Sequence, residues 1–172
     1  MAAMSVAFAA ALTAKSARRS ATEMGSAAAV AAQADSLRRR ALILAALNTE
    51  AYERVIATLS ASGGDEPDGR GSKDRNLEIR DALTETSDAL VNLLEVACDV
   101  CLLAEFVARR GKPGAQVDAA VAATQAEAGA QAAMELIEIN LLGDQLVDTK
   151  RQAREALATA SEATGQARAT AL

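Results

Sequence analysis

Three polar residues stand at expected helix ends: Asp118, Asn140 and Asp144. Asn140 and Asp144 fall in "MELIEINLLGDQLVD", residues 134–148, a stretch made largely of Leu, Ile and Met that stops at Gly143 and carries a further acid at Asp148. An asparagine near the end of a buried helix needs hydrogen-bond partners, and a carboxylate at a helix start either caps free amides or faces a ligand. Asp118 and Asp144 are the groups of this set able to exchange a proton. The simpler reading is that Asn140 and Asp144 only cap and terminate a helix. The functional one is that polar side chains gather from separate helix ends around a shared hollow.

A second pair with chemical potential, Cys98 and Cys101, forms "CDVC" inside a strongly helical stretch. A redox pair of this spacing opens a helix beside a strand, and a zinc site needs further ligands that a chain without histidine hardly supplies. Two thiols on a packing face is the favoured reading, with no metal.

What must position these residues is helical. The chain has 172 residues, about a quarter of them alanine, with 2% aromatics, two prolines and no tryptophan. Alanine is the best helix former, and its small side chain lets helix axes approach closely, so the expected fold is an all-α bundle of four to five helices in one domain, 1–172. A net charge of −5 and few aromatics argue against a nucleic-acid partner, which requires a basic face and stacking rings. The clusters Arg18–Arg19 and Arg38–Arg40 read as a solvated helix face. In the N-terminal apolar run, Lys15, Arg18 and Arg19 follow the run instead of preceding it, which is the reverse of a secretory signal, so it reads as the first helix of a cytoplasmic protein. No uninterrupted apolar run has membrane-spanning length.

The helices are expected over 5–20, 26–59, 74–110 and 118–142, with a fifth from Asp144 onward. An unbroken helix through Gly25 is the alternative for the first two, and residues 60–74, rich in Gly, Pro, Ser and Asp, are expected to form a flexible loop. In the third helix, Leu83, Leu90, Leu94, Ala97, Cys101, Ala104 and Ala108 repeat every three or four residues, and Leu93, Val96, Val100, Leu103 and Val107 run beside them. Its polar row is Asp88, Asn92, Glu95 and Asp99, so this is the central helix, with one seam toward solvent, a cleft or a subunit boundary. Gly111 suits the position after its last turn, and Pro113 prevents its continuation.

The order of these segments resembles the cyclodeaminase/cyclohydrolase family, the helical folate enzymes that include formimidoyltetrahydrofolate cyclodeaminase and methenyltetrahydrofolate cyclohydrolase. "LNTEAYERV", 47–55, is similar to the family's D-x-x-A-[FY]-x-x-V; "LLAEFVARRGKPGAQVDAAVAA" resembles its LA…GN…SD…AA stretch; "IEINLLGD" is similar to its V-x-I-N-L-x-x-I-x-D; and "MSVAFAAALTAKSA" matches the small-residue helix after its glycine loop. The resemblance implies a homodimer that binds a tetrahydrofolate derivative as substrate and closes a formimino group with loss of ammonia, or hydrolyses a methenyl bridge. Carried over position by position, it implies Ser5, Asn48, Tyr52 and Lys112 as ligand contacts, with Lys112 as an anion clamp, beside Asn140 and Asp144, and Asp118 as the catalytic group.

The departures fall where chemistry is expected. "AAMS", 2–5, replaces GGGS, Asn48 replaces the acid, Lys112 replaces an asparagine, and a proline near Ala89 and Leu90 is missing. Asparagine hydrogen-bonds but does not exchange a proton near neutral pH. Ala2 and Ala3 lack the conformational freedom of a glycine cradle. Three expectations remain open: a folate-type enzyme, a diverged cyclase of specialised metabolism that works by positioning, and a non-catalytic helical dimer. A cleft filled by Met4, Phe8 and Tyr52 would favour the third.

Overall fold

A computed structural model describes residues 1–60, 70–140 and 147–171, and all of its described elements are helices: α1 (Ala2–Arg19), α2 (Ala27–Ser60), α3 (Arg70–Arg110), α4 (Pro113–Asn140) and α5 (Val147–Ala171). Helices α1 to α4 pack each against the next and α4 returns to α1, while α5 lies along both α3 and α4. The all-α bundle expected from composition is what forms.

Helix α3 is the centre. Both of its apolar rows turn inward, with Leu94, Val96, Val100, Cys101 and Val107 fully buried. Its polar row runs between α2 and α5. Arg40 of α2 donates to Asn92 at 2.9 Å and lies 3.9 Å from Glu95, and Gln152 of α5 donates to Glu95 at 2.9 Å. The seam therefore ties three helices together at their partly wet edge.

Small residues set the spacing elsewhere. Helix α1 buries seven alanines along with Val6, Thr13 and Ser16. A Cβ placed on Gly129 of α4 would lie 2.6 Å from Val6 Cγ2 and 3.0 Å from the Ala2 carbonyl oxygen, so α1 crosses α4 at a point only glycine fits.

Several boundaries differ from the sequence reading. Helices α1 and α2 are separate: Ser20 ends the first, the backbone turns through Glu23 and Met24 onto the Ser20 carbonyl, and buried Met24 anchors the turn. Helix α1 begins at Ala2, three residues earlier than expected. Helix α4 begins at Pro113, not Asp118, because proline is preorganised for a first helical turn and the Lys112 carbonyl accepts the amides of Ala115 and Gln116 at 2.8 and 3.0 Å. Asp118 is thus interior to α4 and caps nothing. Gly111 does follow the last residue of α3, but crowding is what demands glycine there: a Cβ would meet the Val107 carbonyl at 2.6 Å and Ser20 Oγ at 2.7 Å. Ser20 Oγ accepts the Lys112 amide at 3.2 Å and so joins the α1–α2 turn to the α3–α4 link. Residues 61–69, Gly143 and Asp144 lie outside the described residues, and so do the loop and helix-start expectations placed on them.

Cys98 and Cys101 are free and buried on the packing face of α3. Thr164 of α5 donates to the Ala123 carbonyl at 3.3 Å and contacts Cys101 Sγ at 3.7 Å, while the Cys101 thiol reaches the same carbonyl at 3.5 Å. Burial pushes the Cys101 thiol from its ordinary 9.0 up to about 12. Because the folded chain keeps this proton after the unfolded chain has released it, the associated stability is intact below pH 9 and is lost as pH rises towards 12. Urea unfolding of the wild type and Cys101→Ala across that window checks this. The stability advantage of the wild type is expected to shrink by roughly 1.4 kcal/mol per pH unit above the ordinary thiol value.

Candidate functional site

The N-terminal turn of α1 meets the middle of α2, and between them lies a cleft of about 120 Å³. Met1 to Met4 form one side, Leu44, Ala45, Asn48 and Thr49 of α2 another, and Ala89, Leu90 and Leu93 of α3 with Leu136 of α4 the rest. The first amides of α1 to find a backbone acceptor are those of Met4 and Ser5, both on the Met1 carbonyl, and α1 has no side-chain cap. The amides of Ala2 and Ala3 thus stand at the cleft as helix-end donors.

Asn48 is the chemical centre of this end. It is half-buried, and its Oδ1 is shielded from solvent with no hydrogen-bond partner among the described residues. Its neighbour Thr49 is already engaged, donating to the Ala45 carbonyl at 2.9 Å. Among the described residues, none that lines the cleft has an ionisable side chain.

The other residues singled out from the sequence divide between two ends of the bundle. Ser5 is half-buried just past the α1 turn that lines the cleft, and Tyr52, 53% exposed, lies one helical turn beyond Asn48. Asn140 is one turn beyond Leu136 on the same side of α4 and is half-buried. These three flank the cleft without lining it. Phe8 and Tyr52 do not fill it, and Met4 sits at its edge, 60% exposed.

Asp118 and Lys112 are at the opposite end. Asp118 pairs with Arg19, the last residue of α1, across a partly exposed surface. Since α1 has 18 residues, its rise puts Asp118 roughly 25 Å from the Asn48 cleft. Lys112 precedes α4 beside Ser20. Three members of the basic clusters have acidic or amide partners: Arg18 pairs with Asp35, Arg19 with Asp118, and Arg40 joins the Asn92–Glu95 seam.

Sequence reasoning passed over Leu44, Thr49, Leu90, Leu93 and Leu136 as cleft residues. Each fits the ordinary apolar or helical pattern of its own helix, and only the crossing of four helices makes them a wall. Among the described residues no three His, Cys, Asp or Glu side chains are grouped to hold a metal ion, and no helix is long and apolar enough to cross a membrane.

Residues 1–162 match the family model described as formiminotransferase-cyclodeaminase. In three dimensions the chain is similar to the crystal structure of formiminotetrahydrofolate cyclodeaminase from Thermotoga maritima, with a TM-score of 0.82 at 18% sequence identity, over 98% of this chain and 84% of that one. No curated protein matches the chain by sequence.

Proposed function

The chain belongs to the formiminotransferase-cyclodeaminase family, and from that premise we propose that it binds a folate-type or other small cyclic substrate in the cleft at Asn48. The observation that supports this is the open cleft itself, bounded by α1 amides and by a buried amide oxygen with nothing to pair with. Buried polar atoms are normally satisfied, and one left free beside a hollow is a place for a ligand atom.

Ring closure or hydrolysis of the family type requires proton transfer, which Asn48 does not provide. Asp118 is the carboxylate carried over for that role, and within one chain it is too distant. A homodimer supplies a second copy. Met4 and Phe8 of α1 and Val117 and Val121 of α4 are large apolar side chains exposed on adjacent helices. A two-fold pairing across them would run α1 antiparallel to its mate, bringing the Arg19–Asp118 end of one protomer toward the Asn48 cleft of the other. Ser5, Tyr52 and Asn140 would then contact substrate around the cleft, and Lys112 would reach an anionic group from the second copy.

The reading is tested by calorimetric titration of the full chain with a reduced folate, alongside light scattering. The expected results are saturable binding below millimolar concentration, loss of that binding in Asn48→Leu, and a mass twice the 17.7 kDa of one chain. Absence of saturable binding at millimolar ligand rejects the folate substrate; a stable monomer rejects the shared site.

A second reading, a diverged cyclase of specialised metabolism, is favoured by one specific feature: the described residues that line the cleft carry no ionisable side chain. Such a site acts by positioning and hydrogen bonding. It is distinguished by a cleft that binds uncharged rings and ignores folates.

A further inference from the structure

The chemistry of the cleft wall narrows what enters it. Asn48 Oδ1 is an acceptor without a donor, and Thr49 has already committed its hydroxyl hydrogen to the Ala45 carbonyl. Leu44, Leu90, Leu93 and Leu136 supply apolar wall, and among the described lining residues the ionisable group is the α-amino group of Met1. A cation at Asn48 would lose its hydration with no carboxylate among the described lining residues to replace it, and an anion there would meet an oxygen lone pair, its partners being the α1 amides and the Met1 ammonium at the edge of the cleft. A neutral donor loses little and gains the missing hydrogen bond.

Size sets a second limit. The cleft measures about 120 Å³, and an apolar cavity of about 150 Å³ holds benzene. One small ring fits; a fused ring system with a charged tail would leave most of itself outside. Met1 and Met4, both largely exposed, stand at the edge, and unbranched thioether chains adjust readily around a guest.

We propose that the cleft binds an uncharged five- or six-membered ring bearing an N–H or O–H group, whose hydrogen is donated to Asn48 Oδ1. The proposal rests on the preceding section for the location of the site and specifies the part of the substrate that is buried there. Asparagine at this position makes the cleft a receptor for a neutral donor, where a carboxylate would favour a group that carries or exchanges a proton.

Two near-isosteric pairs test it on the full chain by NMR titration: pyrrole against furan, and phenol against fluorobenzene. Each pair differs chiefly in the donor. The donor-bearing member is expected to saturate at millimolar concentration, roughly five- to tenfold tighter than its partner, the scale of one hydrogen bond to a neutral group. Asn48→Leu should bring each pair within about twofold while leaving helical circular dichroism unchanged; if that variant loses its helical signal, Asn48→Ala takes its place in the same comparison. Equal affinities in the wild type, a preference for furan, tighter binding of imidazolium or benzoate, or saturation by none of the four rings overturns the proposal. Binding of pyrrole without binding of reduced folate leaves this inference standing and removes the folate substrate. Binding of reduced folate without donor preference does the reverse.

Discussion

Gly129→Leu is expected to lower the melting temperature by roughly 2–8 °C and to weaken ligand binding at the cleft about tenfold. The first Cβ alone would stand 2.6 Å from Val6 Cγ2 and 3.0 Å from the Ala2 carbonyl oxygen. Val6 is fully buried and its branched side chain has no free end to swing away. The backbone of α1 must therefore move, at a cost of about 1–3 kcal/mol that exceeds leucine's better helix propensity of somewhat under 1 kcal/mol. Ala2 also lines the cleft, so the same displacement separates the α1 amides from Asn48. Differential scanning calorimetry with the ligand titration reads both effects. Gly165→Ala is the control: it lies in an exposed part of α5 with nothing within 4 Å of an added Cβ, and is expected to stabilise by about 0.5–1 kcal/mol. A Gly129→Leu variant as stable as Gly165→Ala would mean that α1 and α4 are not held at this crossing.

Leu94→Ala should be the most destabilising single truncation, by roughly 3 kcal/mol, and shift the melting temperature down by about 6–12 °C. Leu94 is fully buried in the middle of α3 and belongs to the core cluster that joins residues of all five helices. Its neighbours are largely alanine, valine and leucine on stiff helices, so the space left behind closes poorly and the cavity contributes to the loss. Leu102, on the same helix but 42% exposed, is the comparison, and Leu102→Ala should cost under about 1 kcal/mol. Chemical denaturation of the two variants measures the difference. Equal losses would remove α3 from the centre of the bundle.

Much of the architecture is written locally. The three-and-four rhythm of α3 identified its buried rows, and two residues of its polar row, Asn92 and Glu95, became the seam to α2 and α5. Pro113 marked the break between α3 and α4, though as the first residue of the new helix and not only as the end of the old one. Asp118 was placed at a helix start because a carboxylate a few residues after a Gly-Pro break has the local signature of one, and the proline had already made that start. Arg19, its partner, is 99 residues away in the chain, so no local pattern announces the pair.

Taken alone, the amino-acid sequence determined that this protein is an alanine-rich helical bundle centred on α3, because helix propensity and the 3.6-residue repeat act over neighbouring residues. Tertiary structure alone decided which helix ends meet. It joined residues 1–4, 44–49, 89–93 and 136 into one cleft around an unpaired amide oxygen and put Asp118 at the far end of α1. That outcome depends on the order and direction in which the helices pack, an effect of contacts between segments distant in the chain that no single helix encodes.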